Sequence, residues 1–459
     1  MKEITTINAN AVYDKSKFNR FHLSLFLWCS FIILFDGYDT TLFGALVPVL
    51  MDEWGMTPVE TGSIGSYKLI GTIVGAIIFG ILADKIGRKK SIIICVVLFS
   101  GFTPLSAFAN GPEFFTVCQV IAGIGLGGVM PTIVALTSEF APKKSRNAMV
   151  SGIFCFFAIG AILISFVGKY VVASIGWQPL YYLAAIPLLL LPIYAKTLPE
   201  SLRILAKRGD DAEIRRILQK GVPEEKIPSH VQFEKPQEEN QQKSSIGSLM
   251  KEKRGLSSMM FWIASLSSFL LMSSMNTWLT KLMIQAGYSL DSSLTFLAFL
   301  NGGSVVGIIL FGRLIDKYGF KKTLIPLFLA GSISLLFVSV TKITLVAYVL
   351  VMIIGAASTG MQSLLLPIVA QYYPTEMRST GTGIMMAFGR IGGVIAPILI
   401  GYLIAQNFAV TTNFQVISIA GFIGALSLVF IQEKYADYRE APVSEPAQEV
   451  EEREVVITH

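Results

Sequence analysis

The feature that most constrains this chain is a series of twelve apolar runs, each long enough to cross a lipid bilayer. A helix needs roughly 20 consecutive apolar residues to span the hydrocarbon core. Because lipid offers no hydrogen bonds to the backbone, isolated spans of this length are predicted to be helices. The predicted spans cover residues 22–50, 62–83, 91–109, 113–138, 146–170, 178–198, 257–284, 292–315, 322–340, 344–372, 379–404 and 412–431.

Composition supports an integral membrane protein and argues against an enzyme. Of the 459 residues, 53% are hydrophobic and 15% are charged, whereas soluble proteins carry about 25% charged residues. The four cysteines fall within predicted spans and lack metal-ligand spacing, so we expect buried thiols and no disulfide framework. The sequence contains no nucleophile elbow, phosphate-binding loop or metal-spaced histidines, which predicts neither an enzyme nor a cofactor.

Basic residues concentrate in every second loop. By the positive-inside rule, this alternation places both termini and the long central loop in the cytoplasm, with the chain in a cell membrane that we expect to be bacterial. Clusters that recur at alternate loops serve topology, so no nucleic-acid partner is expected. The clustered residues are Lys85, Arg88, Lys89, Lys90, Lys143, Lys144, Arg146, Arg313, Lys317, Lys321, Lys322 and Arg378.

The second half of the chain repeats the first at a fixed offset of 232 residues, so that Gly71 recurs as Gly303 and Asp84 as Asp316. Each copy holds six spans, and both copies therefore start on the same side of the membrane. Parallel repeats of this kind are typical of secondary transporters. We predict an all-α membrane protein, monomeric, with a cytoplasmic N-terminus (1–21), two six-helix halves (22–198 and 257–432), a cytoplasmic linker (199–256) and a disordered acidic tail (433–459).

The linker divides by composition. Residues 201–220 have the pattern of short amphipathic helices. Residues 221–247 are rich in Pro, Glu, Gln, Lys and Ser, which predicts disorder.

Two carboxylates lie three positions apart in the first predicted span. Asp36 and Asp39 share nearly one helical face, and an ionised side chain at the centre of a span costs about 2.5–3.5 kcal/mol. Burial favours the protonated form of a carboxylate, and a second nearby carboxylate strengthens that preference. The pair is therefore a candidate proton carrier. Asp39 is the better candidate because its one-turn neighbours are apolar. The alternative is that one Asp only accepts hydrogen bonds from a neighbouring helix.

Arg390 lies midway through the eleventh predicted span, between Gly389 and Gly392. A guanidinium at this depth needs an anion, either an Asp of the first span or a carboxylate of the substrate. Both partners remain open from the sequence alone.

Other polar residues within spans are candidates for the lining of a substrate cavity. Lys68 lies about two turns inside the second span and is expected to extend toward the outer surface, with an anion site as the alternative. Lys169 and Lys281 lie near span ends and are also expected to reach the surface. The remaining candidates are Tyr38, Gln119, Asn276 and Gln362.

The segment from Gly80 to Lys90 resembles the signature loop of the major facilitator superfamily, and it recurs as Gly312 to Lys322. The resemblance implies twelve helices in two halves. Arg88 can pair with Glu139, and Asp84 can meet the N-terminus of a facing helix. We predict that these charges latch the cytoplasmic side shut when the transporter faces outward. The predicted gate residues are Asp84, Arg88, Glu139, Arg146, Asp316 and Arg378.

Three further motifs resemble the aromatic acid:proton symporter family. They are the segments from Asp36 to Pro48, from Gly123 to Glu139 and from Phe388 to Pro397. The resemblance implies a transporter of benzoate-like, hydroxybenzoate-like or nicotinate-like anions. It also implies that Asp36, Asp39, Glu139 and Arg390 are the functional charges, and that a proton and a small organic anion are the partners.

Two positions depart from the family pattern. Gln119 stands where relatives commonly have an arginine, and Lys68 stands where they usually have a small or apolar residue. We hypothesise that Lys68 compensates for the missing cation, so that its removal would weaken anion affinity.

Several other functions remain open. A sugar porter shares the fold, but the seventh predicted span lacks the paired glutamines of sugar porters. A drug/proton antiporter fits less well, because cation export calls for acids rather than a buried arginine. A membrane sensor that does not transport is an alternative from a different class.

Overall fold

The computed structural model describes residues 6–7, 9–14, 16–223, 232–233, 249–250 and 254–436. Among these residues, twelve helices are long and apolar enough to cross a membrane, which confirms the predicted spans. Numbered in chain order, spans 1 to 12 are Arg20–Trp54, Pro58–Ile86, Arg88–Phe108, Pro112–Phe140, Ala148–Ile175, Gln178–Thr197, Gly255–Gln285, Leu290–Tyr318, Phe320–Val338, Thr344–Tyr372, Met377–Ala405 and Val410–Phe430.

Spans 6 and 10 are interrupted within their length. Span 6 consists of three short helices, Gln178–Leu183, Ile186–Leu189 and Leu191–Thr197. Prolines stand at the start of each helix, where their missing N–H and fixed φ are tolerated. Span 10 contains a π-helical turn at Ala356–Gly360, and such turns are frequent at functional sites.

The connection between spans 1 and 2 shows how local sequence sets the hairpin. Gly55 ends span 1 in the left-handed conformation at φ +60°, which suits glycine. Thr57 then caps span 2, and its side chain and that of Glu60 bond each other's backbone N–H groups. The second half repeats the design at the same offset, with Gly287 at φ +96° and Ser289 as the cap of span 8.

The sequence repeat is also a repeat of helix contacts. A methyl group on Gly71 would lie 2.4 Å from the carbonyl oxygen of Val120, and one on Gly303 would lie 2.0 Å from that of Met352. Span 2 therefore packs on span 4 as span 8 packs on span 10, backbone against backbone. Glycines allow this close approach in membrane helices.

The two halves pack through three pairs of spans: 1 with 7, 2 with 11 and 5 with 8. We call the end that carries the clustered basic loops the basic end and the other the opposite end. One hydrophobic core, the joint core, contains residues of both halves, including Phe43 and Phe115 of the first and Trp278 and Leu294 of the second. A second core lies in the first half toward the basic end.

Segments outside the spans pack against the basic end of the first half. Helix Ala9–Asp14 meets linker helix Asp211–Gly221, and Tyr13 Oη donates to the carbonyl of Ile217 at 3.0 Å. The linker also contains helix Leu202–Arg208, which confirms the predicted short helices of 201–220. Strands Thr6–Ile7 and Gln232–Phe233 pair in parallel, a two-residue exception to the all-α fold.

The predicted disordered segments lie mostly outside the described residues. Residues 224–231, 234–248 and 437–459 are outside them. Within the predicted tail, Glu433–Tyr435 form a 3-10 helix and Ala436 is buried.

Candidate functional site

The most deeply buried charge in the described structure is Asp39, at 0% exposure in the middle of the first half. Thr103 of span 3 donates its hydroxyl to Asp39 Oδ1 at 2.9 Å. Lys68 of span 2 places Nζ 3.3 Å from Asp39 Oδ2 and donates to the backbone carbonyl of Asp39 at 2.9 Å. Oδ2 itself has no hydrogen-bond partner. The carboxylate thus has one satisfied oxygen and one that faces only an ammonium group.

Asp36 lies one turn from Asp39 and is 5% exposed. Its carboxylate lies beside the side chain of Thr40 and interacts electrostatically with Asp39 and Lys68. The structure therefore brings the two predicted carboxylates into one electrostatic cluster.

The expected position of Lys68 was wrong. Lys68 does not extend to the surface but is 8% exposed and ion-paired with Asp39. A nearby carboxylate within the protein offers the ammonium a better partner than a distant interface, because an unpaired charge in the membrane is costly.

Arg390 is half-buried in span 11, and among the described residues it has no hydrogen-bond or ion-pair partner. The Asp pair considered as its partner is engaged with Lys68 instead, so an Arg390–Asp pair is absent from this part of the structure. The other sequence-based alternative, a carboxylate of the substrate, stays a prediction.

Lys68 and Arg390 are brought to one level by a contact between the halves. Ser66 Oγ donates to the carbonyl of Val394 at 2.6 Å, joining span 2 to span 11. Lys68 follows Ser66 by two residues and Arg390 precedes Val394 by four, which is about 3 Å and about 6 Å along the helices. Since the two helices run in opposite directions, both cations lie on the basic side of the contact.

Two of the neutral candidates, Tyr38 and Gln119, belong to the first half. Tyr38 is buried and donates its hydroxyl to the carbonyl of Leu180 at 2.7 Å. Gln119 is buried, its amide donating to Ser106 Oγ at 3.0 Å. Both side chains therefore bond within the first half, and their place in a substrate cavity stays a prediction. A sequence cannot show which face of a span meets its own half.

The other two neutral candidates belong to the second half. Asn276 is half-buried and donates to the carbonyl of Met272 in its own helix at 2.9 Å. Gln362 is half-buried and receives the hydroxyl of Ser265 at 3.5 Å. Gly389 packs against that same Ser265, so Gln362 lies near the helical turn that carries Arg390.

The charged cluster at the basic end is partly confirmed. Arg88 Nη1 lies 2.5 Å from Glu139 Oε2 and also donates to the carbonyl of Ala135 at 2.8 Å. The other oxygen of Glu139 accepts from Ser201 Oγ and the backbone N–H of Arg203, both at 3.0 Å. Glu139 thus fastens the start of span 3 and the first linker helix to span 4.

This arrangement corrects the predicted latch in one respect. The Arg88–Glu139 pair lies within one half, and it is formed while the halves meet at the opposite end. Arg146 pairs with Asp14 of the N-terminal helix, again within the first half. The other predicted gate residues, Asp84, Asp316 and Arg378, are exposed.

The contacts that close the opposite end were not predicted. Lys169 Nζ lies 3.2 Å from Asp291 Oδ2, joining spans 5 and 8, and Lys281 Nζ lies 3.9 Å from Asp52 Oδ1, joining spans 7 and 1. Both lysines lie near span ends, as expected, and each meets an exposed carboxylate of the other half there. The signal was available in the sequence, since each carboxylate lies at the end of a span on the same side.

The described residues include no group of three or more His, Cys, Asp and Glu that could hold a metal ion. The chemistry of the site therefore rests on two carboxylates, an ammonium group and a guanidinium group.

Known proteins resemble the chain over nearly its whole length. The Major Facilitator Superfamily profile matches residues 29–307 and 294–458. The benzoate transport protein of Acinetobacter baylyi is 38% identical over 444 residues, which cover 95% of each chain. The chain belongs to the aromatic acid transporter family of the major facilitator superfamily. Its members are transporters rather than enzymes, as the sequence predicted.

Other members and solved structures agree with this placement. The gentisate transporter of Corynebacterium glutamicum is 32% identical over 403 residues, covering 87% of this chain and 85% of its own. The inward-open xylose transporter of E. coli superposes with a TM-score of 0.71 at 18% identity, covering 90% of this chain and 96% of its own. At that identity the likeness shows the shared fold alone.

Proposed function

We propose that this member of the family imports a small aromatic carboxylate of the benzoate, hydroxybenzoate or nicotinate type together with a proton. The observation that carries the proposal is Arg390, a half-buried cation in the middle of a span without a partner among the described residues. A guanidinium group binds a carboxylate through two parallel hydrogen bonds. The relatives named for benzoate and gentisate support an aromatic ring on that carboxylate.

Asp39 is the proposed proton carrier. It is fully buried, and its Oδ2 has no hydrogen bond, so a proton can be accommodated there. One proton with one monoanion makes the step electroneutral, so a pH gradient alone would drive uptake.

The basic end is proposed to face the cytoplasm, because it carries the clustered lysines and arginines. The opposite end, which is closed in this structure, then faces the exterior. The described conformation would be the one from which substrate leaves toward the cytoplasm, and Asp84, Asp316 and Arg378 would engage only when the basic end closes.

Reconstitution in liposomes tests the proposal. With an inwardly directed proton gradient, we expect protein-dependent uptake of labelled benzoate, hydroxybenzoate or nicotinate, while glucose is not transported. Arg390→Ala should abolish uptake, and Arg313→Ala, which removes an exposed arginine of span 8, should leave it unchanged. Empty liposomes correct for leakage of neutral acid through lipid.

Glucose uptake would favour the sugar porter, which shares the fold of the xylose transporter. Absence of uptake for every solute, together with specific binding of one of them, would favour a sensor.

A further inference from the structure

The cluster around Asp39 breaks the internal repeat. The same offset of 232 residues that relates Gly71 to Gly303 also relates the residues around Asp39 to positions in the second half. Asp39, Lys68 and Thr103 correspond to Leu271, Leu300 and Leu335, which are buried and apolar. Asp36 corresponds to Ser268, which is buried and uncharged.

The second half thus forms the equivalent region of its bundle without charged residues. Replacement of a buried ion pair by well-packed apolar residues is often neutral or stabilising. The Asp39–Lys68 pair is therefore not needed for the architecture, and its presence in one half only indicates a role in transport.

The geometry identifies where a proton would go. Asp39 Oδ1 already accepts the hydroxyl of Thr103, whereas Oδ2 lacks a hydrogen bond and faces Lys68 Nζ at 3.3 Å. A proton added to the carboxylate is thus placed on the oxygen that holds the ammonium group. The proton and the Lys68 ammonium group therefore compete for Asp39 Oδ2.

Lys68 would not leave the site when the proton binds. Its Nζ also donates to the backbone carbonyl of Asp39 at 2.9 Å, and this bond does not depend on the carboxylate. An ammonium group has three donors, so two are left for another acceptor. Arg390 lies at the same level of the molecule, on the basic side of the Ser66–Val394 contact.

We propose that Lys68 is a second binding residue for the transported carboxylate, held by Asp39 while Asp39 is ionised and released to the substrate when Asp39 Oδ2 takes up a proton. This inference rests on the proposed function. It makes substrate binding depend on proton uptake, because the cation is available only after protonation. The proton comes from water at the open side, and no bond other than O–H forms or breaks.

Other titratable groups face the pair. They are Asp36 and Tyr38 of span 1, Cys95 of span 3 beside Asp36, and Tyr181 of span 6. The phenols and the thiol are uncharged near neutral pH, so only Asp36 could replace Asp39 as the pH-sensing group. An Asp36→Asn variant separates the two.

The test measures benzoate affinity of the full chain in detergent by calorimetry, from pH 5.5 to 8, where benzoate stays ionised. The wild type should bind more tightly as pH falls. Asp39→Asn should bind tightly at every pH, because Lys68 is released permanently. Lys68→Met should bind about tenfold to hundredfold more weakly and without pH dependence, as expected for a lost charge-assisted hydrogen bond. Asp36→Asn should keep the wild-type slope.

Two further variants control for folding and for the loss of any lysine. Lys342→Met removes an exposed lysine from the loop between spans 9 and 10, and affinity should not change. Asp39→Leu with Lys68→Leu copies the second half, so it should fold and fail to bind.

The outcomes separate the two proposals. If the wild type binds no aromatic carboxylate, the proposed function fails. If the wild type binds with a pH slope and Lys68→Met keeps both affinity and slope, the role of Lys68 is overturned while the proposed function stands. Weaker binding by Asp39→Asn at every pH would also overturn it, even if Lys68→Met does not fold.

Discussion

Lys169 of span 5 and Asp291 at the start of span 8 form an ion pair of 3.2 Å between the two halves. Both side chains are partly exposed, at 32% and 52%. Exposed pairs of this kind contribute about 0.2–1 kcal/mol. The pair therefore biases the opposite end toward closure without fixing it.

Removal of this pair should open the opposite end more often. Asp291→Asn is expected to shift the balance away from closure by up to about fivefold, the factor that corresponds to about 1 kcal/mol. Spin labels on the exposed residues Ser174 and Lys342, one in each half, would report a larger population of long distances. High salt should reproduce the effect in the wild type. An unchanged distance distribution would show that the pair does not contribute to closure.

A larger effect is expected from Gly44→Ala. The added methyl carbon would lie 1.7 Å from the carbonyl oxygen of Asn276, so spans 1 and 7 must move apart. Overpacking of this kind costs about 1–3 kcal/mol, and we expect uptake to fall at least tenfold. Gly101→Ala is the matched control, because nothing lies within 4 Å of its added carbon. Equal uptake by both variants would contradict the close packing of spans 1 and 7.

Glu139→Gln should destabilise the first half. The substitution leaves Arg88 without its counter-ion and weakens the bonds to Ser201 and Arg203. Hydrogen bonds to charged groups contribute about 1.5–3 kcal/mol, so the thermal midpoint in detergent should fall by several degrees. Glu213→Gln removes an exposed ion pair with Arg216 on a linker helix and should leave the midpoint nearly unchanged. A similar drop in both would show that the loss is not specific to Glu139.

Tyr38→Phe tests whether the Tyr38 hydroxyl, which bonds the carbonyl of Leu180, contacts the substrate. It loses one buried hydrogen bond to Leu180, which should cost about 1 kcal/mol of stability. Because the ring stays in place within the first half, the order of preference among benzoate, hydroxybenzoate and nicotinate should not change. Competition assays of uptake would measure this order. A changed order would place Tyr38 at the substrate.

Much of the fold follows from the sequence because lipid leaves the backbone few choices. Twelve long apolar runs must form helices, and the offset between Gly71 and Gly303 requires two similar halves. The contacts of these glycines then prove equivalent, with Val120 in one half and Met352 in the other.

The candidate site was harder to predict, because a span does not reveal which neighbour its polar face meets. The sequence points to the two carboxylates, but it offers Arg390 as their partner, whereas the structure pairs Asp39 with Lys68. The internal repeat does contain this information. A buried polar residue in one half that aligns with leucine in the other is not required for folding, which indicates a role in function. That comparison singles out Asp39 and Lys68 together.

The backbone contacts at the opposite end have a consequence for how such a protein can evolve. Gly44, Gly62 and Gly401 each place a helix against a carbonyl of the other half. The partners at these contacts are backbone atoms, so a larger side chain at any of the three glycines would push the helices apart, whichever solute is transported. Arg390 lies several turns away along span 11 from Gly401. Related transporters can therefore change their substrate through substitutions around Arg390, while the glycine contacts that close the opposite end stay the same.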